Sequence, residues 1–461
     1  MKKETTIRAK DTGPGRELTS EFISSINLAL DQNQTDDAIG LAQSLHYADL
    51  ADLLENLAHV RREELVEALR NDFDPNVLAE LDETIRERVI DQLGISQIAE
   101  AVAGLETDDA LEVVEELAAD EQIEILESLP ENERTLIEEG LSYPEDSAGR
   151  LMQREVVAVP QDWTVGQAID YMRDTNDLPT DFFDIFLVDL SHSPVGTVPL
   201  SRVMRTNREV ALIDVMRKHI KIVPVEMDQE EVAFLFRQRD LISAPVVDNN
   251  TRLVGVITVD DIVDVIHEEH EEDIMRLAGV GEEDDLYSAV IDTAKSRFIW
   301  LLIHLIAAIL AAYVISFFAG TMEEMIALAI LMPIVATMGG TASVQTLTVA
   351  VRAIAMKELT TSNAYRAIGK EVGVGILNGI IFAAIIGTVA WIWFGNPALG
   401  GVIGLAIGLN LIVAGFVGSS LPIVLQRLGF DPAVSSSAFL TSITDIVGFY
   451  VFLGLAAALL L

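Results

Sequence analysis

One carboxylate stands at a depth where carboxylates are rare. Asp445 lies in the run SSSAFLTSITDIVG, residues 435–448, with apolar sequence on both sides. A charged side chain at the centre of a bilayer costs about 3 kcal/mol even on lenient scales, so it is paired or it is functional. Ser435, Ser436, Ser437, Thr441, Ser442 and Thr444 lead up to it and Gly448 follows. Hydroxyls, exposed carbonyls and one carboxylate form an oxygen-rich, anionic lining that suits a hard cation. A small ion such as Mg²⁺ gives up water reluctantly and would be met through its hydration shell. The competing reading of Asp445 is an ion pair with His304 or with an arginine at a helix end.

A second group of acids has a different character. Residues 259–279, VDDIVDVIHEEHEEDIMRLAG, read as one helix with acids at 260, 261, 264, 268, 269, 271, 272 and 273. Like charges three and four residues apart destabilise an isolated helix by about 0.2–0.5 kcal/mol per pair. Divalent cations would relieve that repulsion, which makes the helix a sensor; the bland reading is a solvated spacer.

Charge divides the chain that must position these groups. Residues 1–294 hold 24 Lys and Arg against 66 Asp and Glu, whereas residues 295–461 hold 7 against 6. An acidic, soluble part repels nucleic acid and attracts cations. Only eight lysines occur, in keeping with an acidic surface suited to salty surroundings. The absence of cysteine excludes disulfides, thiolate metal sites and Cys nucleophiles. No nucleophile and base set is apparent, so an enzyme is not expected. The basic N-terminus has no apolar run behind it, which argues against a signal peptide.

Residues 1–17, with Gly13, Pro14 and Gly15, read as a disordered arm. Residues 18–143 repeat apolar positions at helical spacing every 15–20 residues, which predicts an all-α superhelical domain with an acidic exterior. Over 144–258 short β-branched runs alternate with short helices, and the pattern occurs twice. Residues 156–172 match 220–236, and 185–204 match 244–263. This α/β tandem resembles a pair of cystathionine-β-synthase-type (CBS) modules. Such modules often hold an adenine nucleotide through a Gly, Thr and Asp pattern, so the resemblance implies ATP at Gly255, Thr258 and Asp261 of the second copy. The first copy has Gly196, Pro199 and Arg202 instead, implying a dead site. The alternative role for Thr258 is to cap the helix that follows.

Residues 259–295 form the acidic connecting helix and a hinge, with GVGEEDDLY at 279–287. Five apolar stretches then predict a polytopic α-helical membrane domain over 296–461, with spans at 298–319, 325–351, 372–394, 402–425 and 434–461. Lys295, Arg297, Arg352, Lys357, Arg366, Lys370 and Arg427 all fall on one side of these spans. The positive-inside rule makes that side cytoplasmic, together with the large N-terminal region, and leaves the C-terminus outside an inner, cell membrane. Pro333, Gly339 and Gly340 predict a broken helix in the second span. The small residues of the fourth (Gly404, Gly408, Ala414, Gly415, Gly418) suit close helix packing or a dimer contact.

The order of these parts resembles the MgtE family of magnesium channels and transporters, essentially end to end. The residues that carry the resemblance are EDSAGRLM (145–152), VDDIVDVI followed by EEDI, the series Pro333, Gly339, Gly340, Gln345 and Arg352, KEVGVGILNG (370–379) and the pattern from Arg427 to Gly448. The resemblance implies a homodimer in the lipid bilayer with its pore on the two-fold axis. It implies Mg²⁺ selectivity through Asp445, with Gly339, Gly340, Gln345, Ser437, Thr441, Thr444 and Gly448 as pore-lining residues. It also implies closure by cytosolic Mg²⁺ held by Asp108 and Glu112 in the helical domain and Asp228, Glu230, Asp240, Asp261 and Asp264 in the second CBS module and its exit. Glu269, Glu272 and Asp273 on the connecting helix would complete the set. The family's common Gly-Gly-Asn-x-Gly-x-Gln departs here, with Thr341 and Ser343 in place of the Asn and third Gly. The rival expectations are a broader divalent (Co²⁺) carrier or exporter, and a membrane-anchored nucleotide or ion sensor that transports nothing.

Overall fold

The structure is a computed structural model that describes residues 18–175, 178–179, 182–281, 290–360, 362–434 and 437–460, without the side chains of 292 and 438. The expected arm at 1–17, most of the expected hinge and the hydroxyls of Ser435 and Ser436 lie outside the described residues. Two compact units divide the chain between Ile266 and His267.

The first unit begins with short helices running from Ser20–Asp31 to Glu131–Leu141. Their apolar faces bury Leu53, Leu54, Leu65, Val66, Leu78 and Ile85. One capping device recurs along the series. Arg62 donates to the carbonyls of Glu55 and Leu57, both at 3.3 Å. Arg86 donates to those of Ala79 and Leu81 at 3.1 and 2.8 Å. Gln122 donates to those of Glu115 and Leu117 at 2.9 and 3.0 Å. In all three the donor serves carbonyls seven and five residues earlier, at the end of the preceding helix, where carbonyls otherwise lack partners. The shared spacing makes the superhelix a true repeat of helix, turn and helix.

Two three-stranded sheets follow. In the first, β1 (Ala158–Pro160) runs parallel to β2 (Asp184–Val188), which pairs antiparallel with β3 (Pro194–Pro199). In the second, β4 (Val223–Pro224), β5 (Ser243–Val247) and β6 (Leu253–Thr258) repeat the order. Asp184 opposes Pro199 as Ser243 opposes Thr258, and both ladders shift register at the same step, 187/188 and 246/247. The sequence duplication is thus a structural one. Phe186, Val188, Leu253 and Val256 pack together between the two modules, and Ser243 Oγ donates to Asp184 Oδ2 at 2.8 Å.

The connecting helix is continuous over Val259–Ala278. Among the described residues of the second unit five helices are long and apolar enough to cross a membrane, with mean hydropathy from 1.8 to 2.6. They are Val290–Ser316, Ile326–Ala355, Ala364–Phe394, Pro397–Arg427 and Ser437–Leu459, called here the first to fifth spans. The fourth is the core of the bundle: 56 % of its most apolar window is buried, against 6 % for the first. Its glycines meet the third span backbone to backbone. A Cβ on Gly379 would lie 3.0 Å from the Gly408 carbonyl oxygen, and one on Gly400 would lie 2.4 Å from that of Gly387. The small residues therefore serve close packing within the chain.

One expectation is overturned. The second span is not broken at Pro333 or at Gly339 and Gly340 but runs unbroken for 30 residues. Pro333 removes a single N–H and is exposed, away from the bundle interior. The two glycines make room for neighbours: a Cβ on Gly339 would meet Asn410, and one on Gly340 would meet Thr441.

Candidate functional site

Asp445 is half-buried on the fifth span and opens onto a groove of about 490 Å³ between that helix and the second span. Thr441 stands one turn before it, four residues away, so both side chains share a face. The opposite wall presents Thr337, Thr341 and Gln345, with Gly340 between them. These three polar residues recur every four positions and are all exposed in the single chain. A polar stripe on an otherwise apolar spanning helix fits a water-filled path or a partner, not lipid. Asp445 Oδ1 is sealed from solvent and has no hydrogen-bond partner. Among the described residues Asp445 makes no ion pair; His304 on the first span acts on it only electrostatically.

Of the residues singled out from sequence, Gly340, Gln345 and Thr441 join Asp445 on the groove, while four others do not line it. Gly339 and Gly448 instead face Asn410. Thr444 is fully buried and returns its hydroxyl to the carbonyls of Leu440 and Thr441, at 3.2 and 2.9 Å. Ser437 opens the fifth span and its carbonyl accepts from Thr441 Oγ1 at 2.7 Å. Thr341 lies in the altered 339–345 segment, whereas Thr337 carried no expectation, though its spacing with Thr341 and Gln345 is readable in the sequence.

The first unit gathers a second group. Asp108 sits in the first turn of Thr107–Glu115, and its Oδ1 is sealed without a hydrogen-bond partner. Burial, then the charges of Asp261 and Asp109, push its carboxyl well above the usual range. Burial first, then Glu112 and Glu106, hold Asp109 at about 7. Asp261, at the start of the connecting helix, is raised by burial although it accepts from Thr258 N at 3.0 Å and Thr258 Oγ1 at 2.9 Å. Glu80 is raised by burial and by Asp264. The connecting helix thus sets Asp261 and Asp264 against Glu80, Asp108 and Asp109 of the helical domain. Glu80 and Asp109 carried no sequence signal beyond their charge.

The remaining acids are dispersed. Glu112 pairs with the buried Arg86 at 2.8 Å. Asp228 and Glu230 open the helix Gln229–Arg239 while Asp240 closes it, so about 16 Å of helix separates them. In the second unit Glu272 and Asp431 both pair with Arg276. Asp273 is raised by burial and by Asp431, and Glu269 lies one turn before it. Among the described residues no three acidic or histidine side chains converge into a closed metal cage. Sites of this kind suit a hydrated divalent cation held by one or two carboxylates.

For the nucleotide pattern, Gly255 lies under the chain: a Cβ there would sit 2.5 Å from the Gln153 carbonyl oxygen. Thr258 and Asp261 are turned to each other at the helix start.

Comparison with known proteins covers both units. Residues 332–455 match the family model described as MgtE, divalent cation transporter. Residues 45–146 match the MgtE intracellular N domain, and residues 148–209 and 212–268 each match a CBS domain. The magnesium transporter MgtE of Enterococcus faecalis is 33 % identical over 321 residues, covering 70 % of this chain and 71 % of that protein. The chain belongs to the MgtE family. The magnesium transporter MgtE of Bacillus subtilis is 29 % identical over 95 % of this chain and 97 % of its own length. A solved structure of the cytosolic domain of the Mg²⁺ channel MgtE in complex with ATP is 27 % identical over 53 % of this chain and 99 % of that one, with a TM-score of 0.49. With five apolar helices and this family, the chain is an integral membrane protein whose N-terminal domains are intracellular.

Proposed function

We propose that this MgtE-family chain carries Mg²⁺ into the cell along the groove that holds Asp445, and that cytosolic Mg²⁺ shuts the path by binding the acids of the first unit. The observation that carries the reading is the meeting of Asp445 with Thr441, Thr341 and Gln345 on one groove. Hydroxyl and amide oxygens can take hydrogen bonds from the waters of a hydrated ion while the carboxylate supplies charge. A polar stripe left exposed in one chain is satisfied in a homodimer, where two such grooves would face across a two-fold axis. All loop lysines and arginines then lie in the cytoplasm and the C-terminus lies outside.

Closure follows from electrostatics. Asp108, Asp109, Asp261, Asp264 and Glu80 are crowded and partly desolvated, which disfavours their charged forms. Bound Mg²⁺ would neutralise them and hold the connecting helix against the helical domain, with Glu269, Glu272 and Asp273 further along the same helix. When cytosolic Mg²⁺ falls, the acids repel and the helix is released. An adenine nucleotide at Gly255, Thr258 and Asp261 would act on the same element. ATP titration of the full chain, with Thr258→Ala abolishing binding, is the outcome that supports it, and no binding removes it.

The transport reading is tested by growth of a strain deficient in Mg²⁺ uptake. Wild type should restore growth at low Mg²⁺ and Asp445→Ala should not. Equal growth with the two would overturn the groove as the pathway.

A further inference from the structure

The fourth span carries an amide side chain into the membrane bundle. Asn410 is 1 % exposed, on a stretch of helix where Ile403, Ala406, Ile407 and Leu411 are also buried. Its Nδ2 donates to the carbonyl oxygen of Val335 on the second span at 3.1 Å. That bond fixes which end of the amide is nitrogen, because two oxygens would not approach so closely. Its Oδ1 is sealed and has no partner. A buried amide oxygen left unpaired is unfavourable, and an apolar side chain of similar volume would avoid the penalty.

Two glycines on different helices make the slot for this amide. A Cβ on Gly339 of the second span would lie 2.2 Å from Asn410 Nδ2, and one on Gly448 of the fifth would lie 2.7 Å from the same atom. Both glycines flank groove residues. Gly339 adjoins Gly340, and Gly448 follows Asp445 by three residues, about one turn along the helix. Val335, the acceptor, adjoins Ala336 of the groove wall. The amide therefore packs against both helices that wall the groove, at Val335, Gly339 and Gly448, without lining it.

We propose that Asn410 is a positioning residue for ion passage: wedged between Gly339 and Gly448 and tied to Val335, it sets the separation of the second and fifth spans at Asp445. The inference rests on the groove being the pathway. A gap fixed by a polar tie discriminates among hydrated cations by size; an apolar filler of similar volume packs the slot but lets the two walls drift.

The test uses the full chain in liposomes. Asn410→Leu should keep wild-type thermal stability and reconstitution yet shift the half-saturating Mg²⁺ concentration, or the preference for Mg²⁺ over Ca²⁺, by about fivefold or more. Gly339→Ala should disturb the same two quantities. The double variant Gly339→Ala/Asn410→Ala, which removes the collision but also the tie, should recover stability without recovering selectivity. Asn410→Leu with wild-type half-saturation and ion preference overturns the proposal. A second measurement covers a leucine variant that fails to fold and is independent of Asp445. The chain has no cysteine, so Thr341→Cys/Thr441→Cys can be bridged with reagents of graded length. Adding Asn410→Ala should change the length that bridges best; an unchanged preference overturns the proposal. If Asp445→Asn transports like wild type while the bridging length does change, the pathway reading fails and the spacing role stands.

Discussion

The acid cluster of the first unit and the groove of the second handle carboxylates in opposite ways. In the first, Asp108, Asp109, Asp261 and Glu80 are crowded until each is pushed above its ordinary range, chiefly by burial. In the second, Asp445 stands alone on its groove, facing hydroxyls and an amide. Crowded acids form a surface whose free energy depends on whether a cation is present, which is what a sensor needs. A solitary acid among oxygens attracts a cation without holding it, which is what a path needs. On the proposed function, the same side-chain chemistry does two jobs because its neighbours differ.

Three perturbations would break or sharpen that contrast. The largest concerns Arg86, which is buried and pairs with Glu112 at 2.8 Å and Glu116 at 2.9 Å while serving two helix-end carbonyls. Arg86→Ala strands all of these groups and should destabilise the chain by about 3 kcal/mol, read by thermal or denaturant unfolding. Gln122→Ala, at the equivalent place in the repeat but neutral, should lose only about 1 kcal/mol.

Next comes the crowded group itself. Asp108→Asn should stabilise the cation-free chain by about 1–3 kcal/mol and shrink the further gain from cytosolic Mg²⁺, whereas Asp445→Asn should leave that gain unchanged. Protons should compete with the ion. Asp109 is held at about 7 against an ordinary 3.8, so it binds its proton more tightly in the folded chain. That contribution to stability is full at low pH and is lost as pH rises through about 7. Cation-free protein should therefore melt lower at pH ~8 than at pH ~5.5, and Mg²⁺ should raise the melting temperature more at the higher pH. Equal Mg²⁺ gains at both pH values would remove Asp109 from the account.

The smallest effect is at the exit of the second CBS module. Thr258→Ala deletes a hydroxyl that donates to Asp261 at 2.9 Å at the helix start. It should lower stability by about 1 kcal/mol and weaken the Mg²⁺ response only slightly. A loss of Mg²⁺ response as large as that of Asp108→Asn would make Thr258 part of the sensor itself.

Much of this was legible before any coordinates. The repeat of β1–β3 in β4–β6 showed in paired segments, and the five spans showed in hydropathy. Asp445 announced itself by being a charge in apolar sequence. Other features failed for a common reason: they depend on partners far away in the chain. Gly339 and Gly340 read as a helix break because glycine and proline are local breakers, whereas Asn410 and Thr441, seventy and a hundred residues further on, are what require them. Asp109 and Glu80 looked like ordinary surface acids until the connecting helix was seen lying over them. The stripe of Thr337, Thr341 and Gln345 is different. It is purely local, at four-residue spacing, and a period count on polar residues within the second span would have found it.

The most direct test of the two-job account is current through excised membrane patches with Mg²⁺ varied on the cytosolic face. Asp445→Asn should reduce the current carried by Mg²⁺ through each open channel and leave unchanged the cytosolic concentration that closes it. Asp108→Asn combined with Asp261→Asn should move that closing concentration upward and leave the open-channel current unchanged. If either variant altered both quantities, or if the pair of cytosolic substitutions closed at the wild-type concentration, the separation of sensing from conduction would be wrong.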